Sequence, residues 1–85
     1  MEIRYPAKIE PQDDQFFVQF VDFENVFTCG ETMEDALLNA SEVLSVMLEV
    51  MLEDGQKIVP PSQNVAGAHY IAPDAKTQAA LLSME

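Results

Sequence analysis

Among its 85 residues the chain has one cysteine, one histidine, three glycines and four basic residues, and each shortage removes a class of protein. With Cys29 alone no disulfide can close within the chain, and with His69 alone no Cys/His set is at hand for zinc. His69 has no evident Ser, Cys or carboxylate partner, so no nucleophilic triad is readable and it reads as structural or interfacial. Cys29 follows strand residues and has no basic neighbour to activate its thiol, so it reads as a structural, partly buried side chain. No run of about 18 apolar residues could span a membrane. The opening MEIRYPAKIE lacks the apolar core of a signal peptide, so the expected location is the cytoplasm. A glycine-rich phosphate loop and a basic-aromatic patch are also missing.

Positive charge is what the chain lacks most. Arg4, Lys8, Lys57 and Lys76 stand against 15 acidic residues, a formal net charge of -11. Phosphate backbones repel such a chain, so no direct nucleic-acid binding is expected of it. The same field attracts a basic partner and speeds the encounter. The hydrophobic fraction of 48% is too high for a disordered chain and sufficient for one modest core.

The apolar residues are arranged in two periods. Ile3, Tyr5, Ala7 and Ile9 alternate with polar residues, which predicts a half-buried strand with Pro6 near an end. The run 16–21 is aromatic and β-branched and reads as a second strand after the polar turn 11–15; 26–29 reads as a third. Short links imply an antiparallel meander. Thr32 then caps a helix, with Glu34 and Asp35 at its positive end. Met33, Ala36, Leu37, Ala40, Val43, Leu44, Met47, Leu48 and Met51 form a stripe at helical spacing, and Gly55 supplies the stop near Asp54. Residues 57–66 read as an extended loop running back along the helix. A short strand over 68–72 follows, and then a helical stub over 75–84 with Ala75, Ala79 and Leu82 on its apolar side. The expected fold is α+β, a two-layer β-β-β-α-β domain with the helix packed on a small mixed sheet and strand four parallel to strand one.

Candidate chemistry is sparse. Asp35, Glu42, Glu49 and Glu53 fall within a narrow band of the long helix, a negative ridge suited to a basic partner. Leu38, Val46 and Leu52 lie off the core stripe beside those acids and, with exposed strand edges, favour self-association as a dimer or higher oligomer. The candidate interface is therefore Asp35, Leu38, Glu42, Val46, Glu49 and Glu53. The element order also allows a magnesium nuclease built on carboxylates such as Glu10, Asp22, Glu24, Glu42 and Asp74, although nothing in the sequence places three of them together. No cofactor or resident metal is implied.

Several stretches, taken in order, resemble the N-terminal domain of HicB-type antitoxins. They are Tyr5-Pro6-Ala7, the run from Phe17 to Asp22, the run from Thr28 to Ala36, Asn39 to Leu44, and Glu53 to Ser62. Together they cover roughly Tyr5 to Ser62. The first hairpin has Asp13-Asp14-Gln15 where the family often has glycine, and Glu24-Asn25-Val26 stands where it often has Pro-Gly-Cys. The resemblance implies a partial ribonuclease H-like fold without nuclease activity and a HicA-type partner, a small basic toxin that cleaves messenger RNA. Asp22, Gly30, Thr32, Ala36, Ala40, Gly55 and Pro60 match as structural positions. Residues 1–74 would form the antitoxin domain, and 75–85 a helical stub or the start of a DNA-binding region. The expected function is toxin neutralisation without enzymatic activity. The alternatives are a stand-alone, self-associating HicB-like module and, behind it, the magnesium nuclease.

Overall fold

The computed structural model describes residues 3–82. Strands β1 (Tyr5–Gln12), β2 (Gln15–Phe20) and β3 (Phe27–Gly30) are followed by helix α1 (Met33–Glu53), strand β4 (His69–Ile71) and helix α2 (Ala75–Leu82). The sheet order is β3-β2-β1-β4. Pro6 sits in a central strand, one residue from its start, where its carbonyl accepts from the Val21 amide at 3.0 Å.

The β1–β2 hairpin closes on two residues, since Gln12 pairs with Gln15. Asp13 and Asp14 both have positive φ, 51° and 65°. That is the backbone of a type I′ turn, whose twist matches the flanking strands. Aspartate tolerates the left-handed region better than most residues, so the turn forms without the usual glycine.

Alternation assigns the two faces. Tyr5, Ala7, Val18, Phe20 and Ile71 point to one side and join Ala36, Ala40, Leu44 and Leu48 of α1 in the core. Ala36 and Ala40 are fully buried and let the helix axis come close. Gly30 makes the approach possible at the top of the helix, because a Cβ there would lie 2.3 Å from the Ala36 backbone nitrogen. The Thr32 hydroxyl accepts from the Asp35 amide at 3.0 Å, capping the start. At the other end Gly55 takes φ +69°. The Gln56 amide donates to the Met51 carbonyl and the Gly55 amide to the Leu52 carbonyl, the paired bonds of a Schellman cap. The expected stripe is mostly correct, with two shifts: Met33 is exposed, and Leu52 packs partly against the core.

One topological expectation fails. β4 runs antiparallel to β1, with Tyr5 opposite Ile71 and Ala7 opposite His69, so the sheet is wholly antiparallel and not mixed. A strand starting where α1 ends would have run parallel to β1. The loop from Asp54 to Ala68 instead brings the chain back past the sheet before β4 begins, and that return reverses the strand's direction.

Three anchors hold the loop. The Tyr5 hydroxyl donates to the Val59 carbonyl at 2.6 Å. The Asp22 carboxylate accepts from both the Ser62 amide, at 2.9 Å, and the Ser62 hydroxyl. The Tyr70 hydroxyl donates to the Ser62 carbonyl and accepts from the Val65 amide. Burial, and secondarily the Asp22 charge, push the Tyr5 phenol above its ordinary value.

α2 also differs from expectation. Its inward residues are Thr77 and Leu81, whereas Ala75, Ala79 and Leu82 are exposed. The rotation is set by polar contacts. The Asp74 amide donates to the Ser45 hydroxyl at 2.8 Å, while Ser45 donates to the Ser41 carbonyl and Ser41 to the Ala72 carbonyl. The Gln78 side chain bonds both backbone groups of Ile3. Asp74 caps the helix by accepting from the Thr77 amide at 2.8 Å. Interaction with Thr77, side chain first and backbone amide second, holds the Asp74 carboxyl below its ordinary value. The predicted last turn, 83–84, lies outside the described residues.

Candidate partner-binding surface

The solvent side of α1 gathers the candidate interface residues on one face. Asp35, Leu38, Glu42, Val46 and Glu53 are all exposed, with Leu38 and Val46 the most open apolar side chains in the helix at 60% and 59%. Glu49 is half-buried and lies 3.5 Å from the Lys76 ammonium of α2. Between this face and the edge strand β3 runs a shallow groove of about 320 Å³, lined by Thr28, Asn39, Glu42, Val43 and Val46. Val50 adds a further exposed apolar side chain one turn beyond Val46.

The electrostatics of α1 are one-sided. Glu34 and Asp35 complement its positive end, but its last turn has no basic residue. Glu49, Glu53 and Asp54 instead crowd the end that carries the partial negative charge. Each such placement costs a few tenths of a kcal/mol. Among the described residues Lys76 pairs with Glu49, and that pair is largely solvent-exposed and weak.

The carboxylates considered for a metal site are dispersed. Asp22 is engaged by Ser62, Asp74 caps α2, and Glu42 stands on the outer face of α1. Among the described residues no three His, Cys, Asp or Glu side chains are grouped to hold an ion. Cys29 is exposed, against the expectation of partial burial, because its side chain falls on the sheet face that α1 does not cover.

That uncovered face escaped the sequence reading. Its aromatic members include Phe17 and Phe27, with ring centroids 6.0 Å apart, and Phe27 is 55% exposed. Val21 joins them beside a hollow of about 520 Å³ that is also lined by Lys8, Glu10, Gln19 and Glu24. The signal was present at the alternate positions of β2 and β3, which strand propensity alone does not assign to a face.

A family model described as a HicB-like antitoxin of a bacterial toxin-antitoxin system matches residues 4–79. The chain belongs to the HicB-like antitoxin family. An antitoxin HicB 1 of Photorhabdus laumondii is 36% identical over 70 residues, covering 81% of this chain and 44% of that protein. Antitoxin HicB of Escherichia coli K12 is 31% identical over 70 residues, covering 81% and 51%. An uncharacterized 14.9 kDa protein of Haemophilus phage HP1 is 35% identical over 72 residues, covering 85% and 53%. The chain thus spans about half the length of the curated relatives it matches. The crystal structure of the N-terminal domain of Burkholderia pseudomallei antitoxin HicB superposes with a TM-score of 0.69 at 23% identity, over 86% of this chain and 98% of that one. Its α+β fold is the one described here.

Within this HicB-like framework the motif residues have physical roles. Gly30, Ala36 and Ala40 set the distance between α1 and the sheet, while Thr32 and Gly55 fix its two ends. Asp22 ties down the returning loop. Pro60 lies in that loop and helps line a hollow of about 300 Å³ with Ile3, Tyr5, Ile58, Val59, Pro61 and Leu81.

Proposed function

We propose that the chain is the toxin-binding part of a HicB-type antitoxin and neutralises a HicA-type, mRNA-cleaving toxin in the cytoplasm. The role is masking, not catalysis. The observation that carries this reading is the outer face of α1, where Asp35, Glu42, Glu49 and Glu53 flank the exposed Leu38 and Val46. A small basic protein laid along it relieves the uncompensated negative charge at the helix end and covers the apolar pair. Charge then governs the rate of encounter, and the apolar pair governs the lifetime of the complex. Among the described residues no helix is long and apolar enough to cross a membrane.

The test is calorimetric titration of the chain with a HicA-type toxin encoded beside its gene, at low and high salt. Tight binding that weakens with salt is the expected result. Val46→Asp should raise the Kd by about tenfold or more, and Glu42→Lys should mainly slow association. Tight binding left unchanged by both substitutions would move the interface off α1, and no binding at micromolar concentrations would refute the toxin-binding reading for this chain.

Self-association is the second reading. It is favoured by the exposed apolar residues that remain on both layers, Val46 and Val50 on the helix and Val21 and Phe27 on the sheet.

A further inference from the structure

Besides the stripe buried in the core, α1 carries a second apolar row on its outer side. Asn39, Val43, Val46 and Val50 follow at intervals of four, three and four residues, and Glu53 ends the row three residues later. That alternation of four and three is the period at which one helix keeps facing another along its length. Val46 and Val50 are exposed, and Val43 is half-buried. Asp35, Glu42 and Glu49 accompany the row at intervals of seven, so they stay on one side of it with a drift of about 20° per step. On its other side Ala40 and Met47 turn toward the core. The facing wall is therefore Thr28 of the edge strand β3, across the groove of about 320 Å³.

Two contacts narrow what fits this groove. The Asn39 amide donates to the Cys29 carbonyl at 2.9 Å, which closes part of the β3 edge to an added strand. A helix asks for no backbone groups from its host and packs by side chains alone. Lys76 of α2 meets the acidic row at Glu49, 3.5 Å away, so an ammonium carried on a neighbouring helix reaches that row. A second copy of this chain fits poorly, because it would set one acidic row against another in a chain of net charge -11.

We propose that the groove between α1 and β3 receives an amphipathic helix of a basic partner protein. Its apolar stripe lies on Val43, Val46 and Val50, and lysine or arginine residues beside that stripe face Asp35, Glu42 and Glu49. The identity of the partner rests on the toxin-binding reading; the groove and the kind of element it takes do not. From Asn39 to Glu53 the row is about 21 Å long at 1.5 Å per residue, so the incoming helix needs about four turns. Leu38 lies on the far side of the acidic row and is left to a different part of the same partner.

Amide shifts of the isotope-labelled chain, titrated with a synthetic peptide of about three heptads, test this without any toxin. The peptide has leucine at its two apolar positions and lysine at the flanking ones. Binding on the order of 100 µM is expected, with the largest shifts at Thr28, Asn39, Val43, Val46 and Val50. A peptide of the same composition in scrambled order should bind at least about tenfold more weakly. Val50→Asp should weaken the ordered peptide by at least about tenfold. Leu38→Asp adds the same charge across the acidic row and should change binding by less than about twofold. Both positions are exposed, so circular dichroism should show a folded chain for each variant. No shifts up to about 1 mM peptide overturn the proposal. Equal binding of the scrambled peptide also overturns it, since bulk charge alone would then explain the contact. Shifts centred on Phe27 and Cys29 would put a strand on the β3 edge and overturn it as well. Peptide seated in the groove while the toxin fails to bind supports the groove and removes the toxin-binding reading. Toxin binding that Val50→Asp leaves unchanged keeps that reading and overturns the groove as its seat.

Discussion

Gly30→Ala should be the most damaging single-methyl change in the domain. The added Cβ would lie 2.3 Å from the Ala36 nitrogen, 2.7 Å from the Ala36 Cα and 2.8 Å from the Asp35 carbonyl carbon. All three are backbone atoms of the first turn of α1, so no side chain can swing away. Ordinary contact begins near 3.4 Å, so the helix must retreat by about 1 Å. That retreat loosens the packed row of Ala36, Ala40 and Leu44 against β2 and β3. Overpacking of this kind costs about 2–3 kcal/mol. A domain of this length has roughly 4–13 kcal/mol in total. The melting temperature should fall by roughly 10–20 °C, and the urea midpoint should drop with little change in slope. Ala36→Gly offers no rescue, because the clash is with backbone; it adds a helix-glycine cost of about 1 kcal/mol, so the double variant should be worse than either. If Gly30→Ala melts within about 2 °C of the parent, or if Ala36→Gly restores it, the close seating of α1 on β3 is wrong.

Three further outcomes are expected. Replacing Asp13-Asp14 by Asn-Gly suits the type I′ turn better and removes two neighbouring negative charges, so thermal melts should show a gain of about 0.5–1 kcal/mol. Asp22→Ala removes the acceptor of both bonds that Ser62 donates and should cost about 1–3 kcal/mol, with loss of hydrogen-exchange protection at the Ser62 amide. Tyr5 has its phenol pushed above the ordinary 10.0, so the folded state prefers it protonated. Its contribution should hold at neutral pH and be lost as the pH climbs from about 10 through the raised value, and denaturant titrations of Tyr5→Phe should lack that alkaline step.

Where a signal is local and periodic, the sequence was enough. Alternation from Ile3 to Ile9 located β1, and the stripe from Ala36 to Met51 with Thr32 and Gly55 at its ends located α1. What was missed depends on distance. Asp22 and Ser62 are 40 residues apart, and nothing local announces their pairing. The orientation of β4 depends on how far the Asp54–Ala68 loop travels, which composition does not encode. In α2 the adjacent Leu81 and Leu82 make two rotations equally apolar, and Ser45, Asp74 and Gln78 choose between them through hydrogen bonds. The α1 face gathered the proposed interface residues because helical spacing is geometry. The aromatic sheet face went unseen because assigning a strand's sides requires knowing which one the helix covers.

A small contact at the rim of the sheet bears on how the chain survives at high concentration in a cell. In β2–β3 pairing the Phe20 amide bonds the Val26 carbonyl, and alternation from there turns the backbone groups of Phe27 and Cys29 away from β2. β3 is the outermost strand, so those groups would be a template for any passing extended segment. The Asn39 amide reaches down from α1 and donates to the Cys29 carbonyl at 2.9 Å. A would-be fifth strand must first evict it. One carboxamide thereby steers encounters from the rim toward the faces, where side chains rather than bare backbone select the partner.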